Sequence, residues 1–143
     1  MNKHSNQKGQ TLIAFSLVFM FLLLGMLALV GNLNIAYTYY ETYDNATLLA
    51  AQAGAAQVDS SQLPSFVLDQ SAAKAICFNI ASQVSKLSLS DPNSGIICTT
   101  TATTVTATIS HGSPLAVPLW GNSPIQIHRS HSATLSVGQT QGE

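Results

Sequence analysis

The stretch TLIAFSLVFMFLLLGMLALV, residues 11–30, decides how this chain folds and where its first helix lies. It contains no charged side chain, and the uncharged region extends in both directions, from residue 9 to residue 40. About 20 apolar residues in a helix are needed to cross the roughly 30 Å hydrocarbon core of a bilayer. The stretch therefore predicts a membrane-spanning helix, to which we assign residues 10–36.

A cleaved secretory signal peptide is the alternative interpretation of the same apolar run. The hydrophobic region of a signal peptide usually covers about 7 to 15 residues and ends close to a cleavage site of the small-x-small type. In this chain the apolar run is longer, and the first such site, at residues 51–55, lies well beyond its end. A retained anchor fits the pattern better than a removed signal.

The charges that flank the apolar run predict its orientation. Lys3 and Lys8 precede the run, whereas the first charges after it are Glu41 and Asp44. By the positive-inside rule, residues 1–9 form a short cytoplasmic segment, and the C-terminal part of the chain lies on the far side of the membrane.

All the tyrosines of the chain lie just after the apolar run. Tyrosine rings are amphipathic and concentrate where a membrane meets water, so one expectation is a position among the outer head groups. The other expectation is that they pack against the soluble part of their own chain, and the two are compatible. The residues concerned are Tyr37, Tyr39, Tyr40 and Tyr43.

The helical pattern continues to about residue 58, because this part of the chain has no proline and is rich in alanine and leucine. We expect residues 37–58 to form a helical stalk that projects from the membrane. Ala46, Ala50 and Gly54 recur every four residues, and small residues at this spacing allow a second helix to approach closely. They predict a helix contact, although the helix propensity of alanine explains the same residues.

The remaining residues, 59–137, predict a small exported α+β head. DSSQLPS breaks the helical pattern at residues 59–65, and an amphipathic second helix follows, ending near residue 89. From residue 96 threonine alternates with small or branched residues, which predicts the half-buried strands of a small antiparallel sheet. Residues 125–137 resume the alternation, although Arg129 and His131 interrupt it, which a bulge or the rim of the sheet would explain. Residues 138–143 predict a disordered tail.

Cys77 and Cys98 are the two cysteines of the chain. Because the far side of the membrane permits oxidation, we predict a disulfide between them, with two buried free thiols as the alternative. Closing a loop of this size contributes about 3 kcal/mol in the chain-entropy model. The wide spacing differs from that of a CxxC redox or zinc motif.

Composition and motifs point away from several function classes. Charged residues make up 8% of the chain and the net charge is -1, so nucleic-acid binding has no basic surface on which to act. Ser71 and Lys74 match the Ser-x-x-Lys of penicillin-interacting enzymes without the motifs that accompany it, and a solvated helix face is the better interpretation. His128 and His131 lie three apart on a predicted strand, hence on opposite faces, which does not suit a metal site. We expect no enzyme, no metal and no cofactor.

Two stretches in the first part of the chain resemble known proteins. KGQTLIAF, residues 8–15, is similar to the processing signal of type IV pilins and pseudopilins. AYTYYETYDNATLLAAQAGA, residues 36–55, is similar to the tyrosine-rich and alanine-rich tract of TadE/TadG-like minor pilins of Tad (Flp) pilus systems. The resemblance is good as far as residue 59 and only architectural from there to residue 137.

The resemblance implies a pilin-like fold and a non-enzymatic structural role as a minor pilin-like subunit in the bacterial inner membrane. The head would be periplasmic or extracellular, or on the cell surface in a pilus. The implied partners are the membrane, other pilus or pseudopilin subunits, and prepilin peptidase, which would cut between Gly9 and Gln10. A membrane-tethered exported binding or adhesion module is the alternative function.

The chain departs from the pilin pattern at Ala14, where the fifth mature residue is ordinarily glutamate. An amine left among apolar helices is costly unless a carboxylate from a neighbour meets it. A subunit that lacks this carboxylate suits the tip of a filament, or a permanent place in the membrane, better than a repeating shaft.

Overall fold

Helix α1 runs without a break from Ser5 to Ala55, and the second helix and two of the three strands pack on its C-terminal half. The computed structural model describes residues 5–62, 65–88, 95–113 and 124–135, with the side chains described from residue 11 onward. The predicted tail, residues 138–143, lies outside the described residues.

The head consists of a second helix and a three-stranded antiparallel sheet of order β1-β2-β3. This confirms the predicted α+β class, with a long N-terminal helix, a second helix and a small antiparallel sheet. A 3-10 turn, Ser60–Gln62, separates the two helices. The remaining elements are α2 (Gln70–Ser85), β1 (Ile96–Thr100), β2 (Thr104–Ser113) and β3 (Ile125–Thr134).

Both ends of α2 are set by local chemistry. The carboxylate of Asp69 accepts hydrogen bonds from the backbone N–H groups of Ser71 and Ala72, at 3.1 and 3.0 Å, and so caps the start of the helix. These bonds, with one from the Ser71 hydroxyl, hold the pKa of Asp69 below its usual range. Lys86 adopts a left-handed conformation, with φ of 59°, which ends α2 earlier than its apolar pattern predicts.

The pairing of β2 with β3 is continuous from Thr104 opposite Thr134 to Ser113 opposite Ile125. The bulge proposed to explain Arg129 and His131 is therefore wrong. The other explanation describes the strand better, since β3 is an edge strand of the sheet. Edge strands tolerate charged side chains that a central strand would bury.

The core lies between the C-terminal half of α1, helix α2 and one face of the sheet. Its largest fully buried apolar side chains are Tyr43 from α1 and Val105 and Ile109 from β2. The predicted disulfide between Cys77 and Cys98 is confirmed, and it joins α2 to β1 inside this core with 6.2 Å between the two Cα atoms. A covalent bond therefore supports a core too small to be generously stable through apolar burial alone.

Candidate functional site

The first half of α1 is largely exposed, and we call its residues 11–31 the bare segment. All its side chains from residue 11 to residue 27 are exposed, including large apolar ones such as Phe15 and Leu12, each 72% exposed. Residues 11–31 have a length of about 30 Å at the rise of an α-helix, which matches the hydrocarbon core of a bilayer. The helix is therefore long and apolar enough to cross a membrane.

The second half of α1, from Asn32 onward, carries the head. Asn32 is 8% exposed and is the first buried side chain along the described part of the helix. Residues 37–58, expected to project as a separate stalk, instead contribute much of the core of the head. The head thus begins immediately after the bare segment ends.

The small residues Ala46, Ala50 and Gly54 contact the protein's own head. Ala46 and Ala50 are wholly buried. A Cβ atom on Gly54 would lie 2.9 Å from Cγ1 of Val105 and 3.1 Å from the carbonyl oxygen of Ala73. The close approach observed at these residues is therefore within the chain, and their side chains are buried by the protein's own head.

The four tyrosines divide between the two expectations made for them. Tyr37 and Tyr40 are 60% and 41% exposed, so their rings are open to the surroundings of the helix. Tyr39 packs against the core, and Tyr43 is wholly buried, with its ring centroid 5.8 Å from that of Tyr39. A head-group position does not fit Tyr43, because its ring lies between α1 and the sheet.

Asp44 of α1 forms a polar cluster with Arg129 and His131 of β3. The Nε of Arg129 donates to Oδ1 of Asp44 at 2.7 Å, and its Nη2 contacts the same oxygen. Nε2 of His131 lies 2.9 Å from that oxygen, and the Arg129 guanidinium lies 4.3 Å from the ring centroid of Tyr40. The cluster joins the free edge of the sheet to α1 through a charge-assisted pair and a cation–π contact.

The electrostatics of this cluster favour a structural role. Hydrogen bonding to the Asp44 carboxylate raises the pKa of Arg129 above its ordinary value, so the guanidinium stays charged. Asp44 and Arg129 are both about a third exposed. The cluster is a matched pair of charges with one histidine, and it orients the sheet on the helix.

Sequence reasoning missed this cluster, although it contained a signal. Arg129 and His131 were recognised as polar residues on the apolar side of a strand, and Asp44 as one of the first acids after the membrane. A strand that directs an arginine and a histidine side chain toward a helix needs a hydrogen-bond acceptor on that helix. Matching the two observations would have suggested the pair.

A shallow groove lies between α1 and the start of β3, at the end of the head that adjoins the bare segment. Apolar side chains dominate its lining, and Ile125 is 41% exposed. Its lining residues are Leu33, Ala36, Tyr37, Tyr40, Ile125, Gln126, Ile127 and His128.

A second cleft lies on the other side of α1, between Thr38, Thr42, Lys86 and His111. Tyr43 also lines this cleft, and its ring meets that of His111 edge-on at 6.3 Å. The hydroxyl of Tyr43 is buried without a hydrogen-bond partner in the described part of the chain. Gly112 and Pro124 line this second cleft.

The residues weighed for catalysis and metal binding have ordinary structural surroundings. Ser71 and Lys74 are exposed on α2, and the Ser71 hydroxyl donates to Asp69 at 2.8 Å. His128 is exposed on the face of β3 opposite to His131. Within the described ranges, no group of three histidine, cysteine, aspartate or glutamate side chains is arranged to hold a metal ion.

The residues of the expected processing site, Gly9 and Gln10, lie in the helical backbone near the start of α1. Their side chains are outside the described part of the structure. Helix α1 thus begins before the apolar run starts.

No protein-family model matches this chain, and neither a curated protein nor a solved structure matches it.

Proposed function

We propose that the protein is a non-enzymatic, minor pilin-like structural subunit of a Tad/Flp-type pilus or secretion assembly, held in the bacterial inner membrane by the first half of α1. The N-terminus is cytoplasmic, and the head is periplasmic or extracellular. Its partners are the membrane, other pilus or pseudopilin subunits, and prepilin peptidase. The TadE/TadG-like stretches at residues 8–15 and 36–55 suggest the family, and the structure adds one supporting observation.

That observation is the continuity of α1 from the bare segment into the core of the head. One helix of 51 residues contains both parts, and within it neither proline nor a loop forms a hinge. A subunit built in this way moves as one piece when its apolar segment shifts sideways between other helices. Such coupling suits a subunit that assembles through its membrane helix, whereas a simple tether needs no rigid link.

The bare segment offers the assembly surface in this proposal. Ala14 is exposed among larger apolar residues, so the position that carries glutamate in pilins presents a methyl group here. A neighbour's N-terminal amine finds no carboxylate at this point. This favours a subunit at the tip of a filament, or a permanent membrane component, over a repeating shaft subunit.

A discarded signal peptide fits this architecture poorly. Ala51 and Ala55 flank the small-x-small site and are buried in the core, 1% and 7% exposed. Cleavage there would remove the helix on which α2 and the sheet pack. A retained α1 is therefore part of the proposal.

The decisive measurement is the intact mass and N-terminus of protein purified from membranes, with and without prepilin peptidase. We expect loss of residues 1–9 only when the peptidase is present. A Gly9→Val variant is the matched control, and it should keep its full N-terminus under both conditions. An intact wild-type N-terminus in both samples would contradict a processed subunit and favour a permanent membrane component or a tether. Cleavage after Ala53 or Ala55 would contradict the anchor itself.

The second candidate is a membrane-tethered binding or adhesion module, and the outer face of the sheet favours it. Hydroxyl groups pair across β2 and β3 on this face, Thr106 with Ser132 at 2.8 Å and Thr108 with Ser130 at 2.9 Å. Such a flat, uncharged face presents hydroxyls for hydrogen bonding. Loss of surface binding in a Thr106→Val, Thr108→Val variant with unchanged processing would support this candidate over assembly.

A further inference from the structure

We propose that the end of the head nearest the bare segment rests in the phospholipid head-group layer of the outer leaflet. Among the described residues, this base of the head includes Tyr37, Lys86 and Ile125. The inference rests on the proposed membrane anchor, and it adds a second contact with the same bilayer.

Three contacts along β3 fix the orientation of the head on α1. Ile125, at the start of β3, lines the same groove as Leu33 and Tyr37. Arg129, in the middle of the strand, bonds Asp44. Leu135, just past its end, lines one cleft together with Ala55 and Ala56 at the C-terminal end of α1. The strand thus runs antiparallel to the helix, and its first residue is the one closest to the bare segment.

The distance along α1 places the base at the right depth. The bare segment ends at residue 31, after about 30 Å of helix, and burial begins at Asn32. Tyr37 lies six residues further, about 9 Å along the axis. The head-group layer on each side of a bilayer has a thickness of about 5 to 8 Å, so the backbone of Tyr37 lies just beyond its outer edge. Side chains on a helix tilt toward its N-terminus, which brings the ring of Tyr37 back to this edge, in the groove that it shares with Ile125.

The unbroken helix removes the freedom that would let the head stand away from the membrane. The bare segment continues directly into the part of α1 that carries the head, without a linker. The cluster of Asp44 with Arg129 holds the sheet edge against α1. A head on a flexible linker would sample many heights. This head has one height, which is set by where the apolar segment lies in the bilayer.

The base has the chemistry of an interfacial surface. Tyr37 is 60% exposed and Ile125 41% exposed, and an amphipathic ring beside an aliphatic side chain suits the boundary between acyl chains and water. Lys86 is exposed on the same end, beside Thr38 and Pro124. An ammonium group there is attracted by anionic lipid. Of the described carboxylates, Asp59 and Asp69 lie at the opposite end, where their backbone N–H groups donate to the carbonyl oxygens of Val67 and Gln57. Asp44 is paired with Arg129, and Glu41, one helical turn beyond Tyr37, is hydrogen-bonded to the Tyr37 hydroxyl.

The test compares the depth of labels at two ends of the head in the full-length protein. Ile125→Cys and Val58→Cys replace residues of equal exposure, 41% each, near the base and at the far end. Because Cys77 and Cys98 are paired, the introduced thiol is the one that takes a nitroxide label. Electron paramagnetic resonance then compares collisions with oxygen, which enters lipid, and with a water-soluble nickel chelate, in vesicles of phosphatidylethanolamine and phosphatidylglycerol.

We expect the label at position 125 to show a several-fold higher ratio of oxygen to nickel collisions than the label at position 58. Equal, water-like ratios at the two positions would overturn the inference. Tyr37→Cys against Leu49→Cys, both on α1, repeats the comparison without altering the sheet, so a folding defect at position 125 does not decide the result.

A label from Leu23→Cys, in the middle of the bare segment, separates this inference from the proposed function. A lipid environment at position 23 together with equal labels at 125 and 58 overturns the interfacial base alone. A water environment at position 23 overturns the membrane anchor, and the inference with it.

Discussion

The two halves of α1 form one continuous helix, but they differ in the size and exposure of their side chains. In the half from residue 11 to residue 31, most side chains are large, apolar and exposed. In the half from Asn32 to Ala55, the buried face is built mainly from small residues, with alanine, glycine and threonine predominating. Size and burial are therefore inverted relative to an ordinary soluble protein, whose large apolar side chains lie inside.

This inversion shows that apolar character and small size serve different contacts. Lipid tails accept bulky side chains of any shape, so the bare half needs only hydrophobicity and length. In the head, α2 and the sheet lie close to α1, so the packed half needs small side chains on the face that they cover. The helix thus has two consecutive segments with different neighbours. In the membrane-anchored protein that we propose, lipid surrounds the first segment and the head packs on the second.

Gly54→Leu and Gly25→Leu test the contrast with the largest expected effect. The added side chain at Gly54 meets Val105 and the backbone of Ala73, so we expect a loss of about 3 kcal/mol of stability or failure of the head to fold. At Gly25 no atom lies within 4 Å of an added Cβ, so the matched variant should unfold like the wild type. Thermal unfolding in detergent, followed by near-UV circular dichroism, measures both, and equal behaviour of the two variants would refute the division of α1.

Reducing the disulfide tests whether the head depends on its covalent bond while the bare half does not. The bond spans 21 positions, and its loss should cost the head about 3 kcal/mol in the chain-entropy model. The unfolding temperature of wild type should therefore fall in reductant, while the helix signal of the apolar half persists. A Cys77→Ala, Cys98→Ala variant should show no response to reductant, and a response equal to that of wild type would contradict the assignment.

Asp44→Ala tests how much the polar cluster contributes to holding the sheet on the packed half. The change leaves Arg129 and His131 without their shared acceptor, so we expect a lower unfolding temperature, with a smaller decrease than that caused by reduction. Glu41→Ala, which removes an exposed carboxylate from the same helix, is the matched control and should have little effect. Additive effects of Asp44→Ala and Arg129→Ala in a double-mutant cycle would show that the two residues are not coupled.

The smallest expected effect is a pH dependence that arises at Asp69. Its pKa is lowered in the folded protein by hydrogen bonds from the Ala72 N–H and the Ser71 hydroxyl. The stability it contributes is therefore complete above the unfolded value of about 3.9 and is lost as pH falls through the lower folded value. Asp69→Asn keeps a capping side chain without a titrating group. Unfolding measured from neutral to strongly acid pH should show a shallower acid loss for the variant, and identical curves would contradict the assignment.

Local features of the fold were predictable from sequence because they depend on neighbouring residues. The apolar run, the break at residues 59–65 and the alternation after residue 96 gave the order of helices and strands. The pairing of Cys77 with Cys98 was predicted from the presence of two cysteines and from the oxidising compartment that the sequence leads us to expect. The end of α2 was misplaced because the left-handed conformation of Lys86 replaces the glycine that usually marks a helix end.

The long-range features were not predictable in the same way. The spacing of Ala46, Ala50 and Gly54 indicates that something approaches closely, but it does not say whether the neighbour belongs to another chain or to the same one. Asp44 and Arg129 are separated by 85 positions, and their pairing depends on the register of β3 along α1. Both questions were decided by tertiary packing.

The position of β3 at the end of the described chain has a consequence for biogenesis. The strand that bonds Asp44 is synthesised after all the other described elements. In a chain inserted as proposed, the apolar half of α1 enters the bilayer long before its partner strand emerges. Until β3 is synthesised, the face of the alanine-rich half that later packs against the sheet is exposed to water. The low hydrophobicity of alanine and the charges of Glu41 and Asp44 keep residues 32–55 from entering the bilayer together with the apolar half.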